Sequence, residues 1–153
     1  MYFSQTKKFL GFQQQCLNFI EKFNLPFVTL LQSKGILDET HKNYLGLYEG
    51  RMGEDSVREF VESSDCIIML GVFLTDMDLG HFTAKIDQKR TIFVQKHRTC
   101  VGYHDYSDTG LLNFFNFMSN QKIVSFQCKE TWPKVKTISK FEPIKKSKLT
   151  TKR

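Results

Sequence analysis

Two aspartates one residue apart, Asp76 and Asp78, follow an apolar run and a glycine in "CIIMLGVFLTDMDLGHF", Cys66 to Phe82. Carboxylate oxygens at that spacing can coordinate a hard cation such as Mg²⁺. They can instead border a nucleotide, since ligands of open parallel sheets bind beyond the carboxyl ends of strands, and Gly71 marks such an end. A third possibility is that they do neither and cap amides of their own loop. Two carboxylates alone are a poor metal site. The stretch therefore nominates Gly71, Asp76 and Asp78 as cofactor-facing residues and nominates no metal ligand.

Other candidate chemistry fails on physical grounds. "GLYEGRMG", Gly46 to Gly53, has the glycines of a phosphate loop but leads into Glu54 and Asp55. Carboxylates at a helix N-terminus repel the anion its amides would hold. In "HRTCVGYH", His97, Cys100 and His104 are too few for a structural zinc. On a single strand, positions 97 and 104 would also face opposite sides. This stretch reads as a surface strand carrying two histidines. No G-x-S-x-G occurs, and no cysteine has a general-base context, so no catalytic residue is assigned.

The elements that must position these residues are legible in outline. Phe12, Cys16, Phe19, Ile20 and Phe23 recur at helical spacing, and Asn24 and Pro26 end that helix. "FVTLL" is a short buried strand. Residues 32–53 form a polar, glycine-rich connection longer than connections usually are. "EDSVREFVESS" is a second helix, whose first-turn carboxylates suit its dipole. "CIIMLGV" is apolar without alternation, which requires cover on both faces. "TIFVQ" is a further strand. "TGLLNFFNFMS" is a third helix, opened by Asp108 or Thr109, and "KIVSFQ" is a possible last strand. The order describes an α/β fold, a parallel sheet flanked by helices. The chain enters it at a helix, and "MYFSQTKKFLGF" makes a poor strand, so the first strand is expected to be missing.

At 153 residues, with 25% charged residues, the chain suits one soluble domain and not a disordered chain. No apolar run approaches the roughly 20 residues needed to cross a bilayer, and no secretion signal is evident. The net charge of +6 is unevenly placed. From Lys129 onward eight Lys and one Arg oppose Glu130 and Glu142, a balance of +7, leaving −1 for residues 1–128. The basic character belongs to a tail, and no nucleic-acid partner is expected. Cys16, Cys66, Cys100 and Cys128 are widely spaced, which fits reduced thiols and a cytoplasmic location.

"NLPFVTLLQSKGILDETHKNYLGLYEG" resembles the start of the central domain of thiamine-diphosphate-dependent 2-oxo acid decarboxylases. The resemblance rests on Pro26, Lys34, Gly35, Asp38, Glu39, His41, Tyr44, Gly46, Tyr48 and Gly50. "VREFVESSDCIIMLGVFLTDMDLGHFTA" continues it and is close to the pyruvate and indolepyruvate decarboxylase branch. Lys42 departs from the family, where Pro is usual, and Asp78 stands where that branch more often has Asn. Phe73 replaces the Arg of flavin-carrying relatives, so no flavin is expected.

The resemblance implies a Rossmann-like middle domain over residues 10–120, without its first strand, followed by a basic tail or linker over 121–153. It implies thiamine diphosphate and Mg²⁺ in the parent enzyme, held by domains whose glutamate and G-D-G signatures this sequence lacks. No cofactor, and no decarboxylase activity, is expected of the chain alone. The implied partners are those catalytic domains or a second copy, with neither nucleic acid nor membrane. Two rival readings remain: a stand-alone module holding ADP or CoA between the Phe27–Leu31 and Cys66–Val72 strands, and an interaction protein completed by a partner's strand.

Overall fold

A computed structural model describes residues 2–3, 10–122 and 132–133 of the chain. Helix α1 (Gln13–Phe23) buries Cys16, Phe19, Ile20 and Phe23, the stripe that the helical spacing predicts. It ends as expected at Asn24, which takes left-handed angles (φ 50°, ψ 50°), and the Leu25 amide bonds back to the Ile20 carbonyl at 3.0 Å. Helix α2 (Asp55–Ser63) buries Val57 and Val61. Helix α3 (Leu111–Asn120) buries Leu111 and Phe115. Its N-cap is Gly110, with no side-chain cap, so neither Asp108 nor Thr109 opens it. The Phe19 ring lies 5.5 Å from Phe114 and 6.1 Å from Phe115, tying α1 to α3. Lys22 Nζ donates to the carbonyls of Ser119 (2.6 Å) and Gln121 (2.9 Å), closing the C-terminal end of α3.

The strands are β1 (Tyr2–Phe3), β2 (Phe27–Thr29), β3 (Tyr44–Leu47), β4 (Ile67–Leu70), β5 (Thr91–Val94), β6 (Arg98–Val101) and β7 (His104–Ser107). One sheet has the order β1-β4-β5-β6-β7, and β2-β3 form a second. The expectation of a missing first strand is corrected here. Tyr2 pairs in parallel with Met69 and Phe3 with Leu70, and β1 also lies beside β2. A two-residue strand has no periodicity to read, which is why the sequence conceals it. With β1 hydrogen-bonded on one side only, the layer divides between β1 and β2.

The long connection of residues 32–53 contains β3, paired in parallel with β2. Its central Gly46 (φ 128°) breaks the apolar pattern. A Cβ there would sit 3.2 Å from Val57 Cγ2, so the glycine sets how closely α2 approaches the strand. The parallel sheet is confirmed for β1, β4 and β5 and for β2 and β3. "HRTCVGYH" is not one strand: β6 and β7 form an antiparallel hairpin that turns at Gly102 (φ 59°) and Tyr103. "KIVSFQ" lies outside the described residues apart from Lys122.

Successive strand residues feed opposite cores. Phe27, Tyr44, Leu70 and Val94 join α1 and α3 on one face. Val28, Leu45, Met69 and Phe93 join α2 on the other. This period of two produces three layers, with apolar strands covered on both sides.

Tyr44 also carries a buried polar contact, its hydroxyl 3.0 Å from Thr29 Oγ1. Burial pushes its phenol pKa up, the Thr29 hydrogen bond opposes this, and Glu39 adds to the rise. A raised folded-state pKa means that Tyr44's contribution is complete below the ordinary phenol value of about 10. It is lost as the pH climbs through the folded value. Tyr44→Phe should therefore lower stability at neutral pH by about 1 kcal/mol, through the orphaned Thr29 hydroxyl. It should also flatten the alkaline fall, as read from urea midpoints between pH 7 and about 11. An unchanged alkaline slope would contradict this burial.

Candidate functional site

A cleft of about 750 Å³ opens at the carboxyl ends of β4 and β5, beneath the first turn of α3. Phe12, Phe73, Leu111 and Leu112 give it an apolar wall, and Lys96 and His97 stand at its rim. Gly71 borders it. That residue takes φ 63° as it leaves β4, and its amide still donates to the Val94 carbonyl at 2.7 Å. Gly110 also lines the cleft, and a Cβ there would overlap the Lys96 carbonyl and come within 2.8 Å of the His97 amide nitrogen. The Leu111 amide donates to the Gln95 carbonyl at 3.0 Å, pinning the start of α3 to the end of β5. Thr99 Oγ1 also donates to the Thr109 carbonyl.

Asp76 and Asp78 lie on the same strand-end loop but do not line this cleft. Asp76 is exposed, and its Oδ1 accepts from the Met77 amide at 2.9 Å. Asp78 is 1% exposed. Its Oδ2 accepts from the Thr75 amide (3.1 Å) and hydroxyl (2.8 Å), while its own amide donates to Thr75 Oγ1 at 3.2 Å. Both carboxylates thus serve the local turn. The structure separates the three sequence candidates: Gly71 faces the cleft, and the aspartates hold the loop beside it.

That loop leans on the other glycine-rich stretch. Thr83 Oγ1 accepts from the Arg51 amide (2.9 Å) and donates to the Gly80 carbonyl (2.7 Å). A Cβ on Gly80 would overlap the Glu49 carbonyl, and one on Gly50 would sit 2.8 Å from the Leu79 carbonyl. The glycines of "GLYEGRMG" therefore serve close backbone approach and not an anion. Gly80, His81 and Phe82 all take left-handed angles, φ 55°, 53° and 64°.

Among the described residues, no group of three or more His, Cys, Asp or Glu is arranged to hold a metal. Asp78 is buried with Oδ2 on Thr75 and Oδ1 without a hydrogen-bond partner among the described residues, and exposed Asp76 accepts from Met77 through Oδ1. Two carboxylates with no third ligand beside them are too few on their own for the Mg²⁺–diphosphate centre of a thiamine diphosphate enzyme. Burial raises the pKa of the Cys16 thiol, and of the Cys66 thiol as well, so neither has the thiolate character of a nucleophile.

Asp78→Ala should cost about 2 kcal/mol, because the Thr75 amide and hydroxyl lose their acceptor. Asp78→Asn, which keeps a carbonyl oxygen, should stay near the parent in a denaturant titration. Equal losses in both variants would show that the charge, and not the acceptor, matters.

What sequence reading missed here is the cationic rim and Gly110. A signal existed for the rim, since Lys96, His97 and Arg98 follow the "TIFVQ" strand directly. None existed for Gly110, whose constraint comes from a backbone fourteen residues away.

A three-layer α/β unit with parallel strands, and a cleft where those strands end, defines a Rossmann-like domain. Residues 6–115 match the family described as thiamine pyrophosphate enzyme, central domain. The chain belongs to that family. Among its relatives, a pyruvate decarboxylase of Aspergillus fumigatus is 38% identical over 98 residues, covering 64% of this chain and 17% of the relative. An alpha-keto-acid decarboxylase of Mycobacterium leprae is 38% identical over 77 residues, covering 50% of this chain and 14% of the relative. One from Mycobacterium ulcerans is 36% identical over the same length. The match therefore spans about one-seventh to one-sixth of these relatives' own length.

Proposed function

We propose that this chain is the structural, non-catalytic middle of a thiamine-diphosphate-dependent 2-oxo acid decarboxylase of the pyruvate or indolepyruvate type. The observation that carries the reading is the kinship with pyruvate and alpha-keto-acid decarboxylases in the central domain. The strand-end loop is compatible with it, because Asp76 Oδ1 accepts from Met77 and Asp78 Oδ2 from Thr75, which are contacts of the local turn. Residues 10–120 are the domain and 121–153 the basic tail or linker. The cofactor and Mg²⁺ belong to catalytic domains, and those domains or a second copy of the chain are the partners in this reading. A cytoplasmic site fits thiols that remain unbonded at Cys16, Cys66 and Cys100. Among the described residues, no helix is long and apolar enough to cross a membrane.

Gly71 is the cofactor-facing candidate that keeps access to the cleft. A second reading, a stand-alone nucleotide module, draws on the same cleft with Lys96 and His97 at its mouth. Two measurements on the purified chain separate the readings. Supplied with thiamine diphosphate, Mg²⁺ and pyruvate or indolepyruvate, it should release no CO₂ above buffer, and saturable release would overturn the non-catalytic assignment. Titration calorimetry with ADP and CoA should give no binding heat; saturable heat would favour the nucleotide module.

A further inference from the structure

The antiparallel end of the larger sheet fixes which way each backbone group of its outermost strand points. The Gln95 amide donates to the Arg98 carbonyl (2.8 Å), and the Gly102 amide to the Thr91 carbonyl (2.9 Å). Arg98 and Cys100 therefore give their backbone groups to β5, and Thr99 and Val101 give theirs to β7. Thr99 faces Tyr106, and Val101 faces His104. The N–H and C=O groups of Asp105 and Ser107 are left pointing outward, away from the sheet.

That outer edge is open. Every residue of β7 is exposed, and among the described residues no strand lies beyond it. Exposed edges are ordinarily blunted by Lys, Pro or a bulge. Strand β7 has none of these, since it reads "HDYS" and its register against β6 runs unbroken. The carboxylate of Asp105 is drawn back along the sheet by Arg98 Nη1 at 3.3 Å. Tyr106, between the two outward-pointing residues, is 51% exposed.

We propose that β7 pairs edge to edge and antiparallel with β7 of a second copy, about a two-fold axis at Tyr106, so that one sheet runs through both chains. Outward groups must meet outward groups, which limits the axis to a few positions. An axis at Asp105 would set two carboxylates directly opposite each other, which is destabilising. An axis at Ser107 would pair Asp105 with Thr109, past Asp108, whose φ of 60° has already ended the strand. The axis at Tyr106 pairs Asp105 with Ser107 of the other copy, and the two-fold repeats that pair, for four hydrogen bonds within β7. It also sets the two Tyr106 residues at a non-hydrogen-bonded position, where Cα atoms approach to about 4.5 Å and side chains are closest. In this register His104 of each copy stands opposite Asp108 of the other, and no like charges meet directly. The edge is thus complementary to itself, as a two-fold contact requires. The pairing stands on this edge alone, whatever reaction the domain serves.

Sedimentation of the full chain tests this, with a cross-link to read the register. The dimer fraction should rise between about 10 µM and 1 mM, the weak range of so small an interface. Ser107→Pro removes an outward donor and leaves the β6–β7 ladder intact. It should raise the dissociation constant about tenfold or more while keeping the parent's urea midpoint. Tyr106→Cys brings two thiols within the Cα spacing of about 4.4–6.8 Å that a disulfide needs. Under mild oxidation and peptide mapping, it should link position 106 to position 106 several times faster than Asp105→Cys links 105 to 105. A chain that stays monomeric throughout, or a dimer that Ser107→Pro leaves unchanged, would overturn the proposal. Faster linking at 105 than at 106 would do so too, and this comparison decides alone if Ser107→Pro fails to fold.

Discussion

Gly110→Ala is expected to be the most damaging single substitution in this domain, costing about 3 kcal/mol in a denaturant titration. The backbone of Gly110 is ordinary (φ −77°), so the cost is purely one of space. A methyl group would run into the Lys96 carbonyl, with the Lys96 carbonyl carbon at 2.5 Å and the His97 nitrogen at 2.8 Å. All three are backbone atoms of the turn between β5 and β6, which cannot rotate aside as a side chain could. The first turn of α3 must then lift, breaking the Leu111–Gln95 hydrogen bond and drawing Leu111, 4% exposed, out of the core. A loss of this size is a large part of the 5–15 kcal/mol that typically holds a domain together. Leu112→Ala, changing an exposed neighbour on the same turn, should fall within about 0.5 kcal/mol of the parent. Equal midpoints for Gly110→Ala and the parent would mean that α3 does not approach β5 as described.

The second large effect is expected at Gly80, for two reasons that add. Its φ of 55° costs an L-residue about 1–2 kcal/mol. Its missing Cβ also makes room for the Glu49 carbonyl, with Thr83 Oγ1 at 2.9 Å. Gly80→Ala should therefore lose about 3 kcal/mol in all and loosen the loop from residues 49–51. His81→Gly provides the opposite sign of strain. His81 is exposed at φ 53°, so relief of its left-handed backbone offsets the entropy a glycine adds to the unfolded chain. The expected net change is within about 1 kcal/mol of zero. Similar losses at Gly80 and His81 would show that loop docking, and not left-handed geometry with close approach, was misjudged.

These two glycines also mark how far the sequence could be read. Elements with their own periodicity were legible: the α1 stripe from Cys16 to Phe23, the Asn24 stop, α2, and the β4 run. Each is specified by residues within a few positions of one another. Strand β3 was hidden inside residues 32–53 because Gly46 interrupts its pattern, and that glycine answers to Val57 on α2, a tertiary demand. The β6–β7 hairpin was hidden because Gly102 and Tyr103 do not form one of the strongest hairpin pairs. Strand β1 was too short to leave a period.

At the site, local chemistry was readable and long-range geometry was not. Capping by Asp76 was open to sequence reasoning because its partner is the next residue, Met77. Burial of Asp78 was not, although the Thr75–Asp78 spacing that makes its turn stands in the sequence. The meeting of Gly50 with the Leu79 carbonyl joins segments some thirty residues apart, and nothing local announces it. Both stretches carry residue types that suit cofactor chemistry. Their shared role is to let two backbones touch.

Domain exchange addresses the whole account at once. Residues 10–120 would replace the matching segment of the Aspergillus fumigatus pyruvate decarboxylase, and pyruvate turnover by the hybrid would be measured with thiamine diphosphate and Mg²⁺. If this unit is an interchangeable, chemically silent spacer between working halves, kcat should stay within about tenfold of the donor, a barrier change of about 1.4 kcal/mol. A hybrid that assembles, binds its cofactor and yet turns over nothing would contradict it.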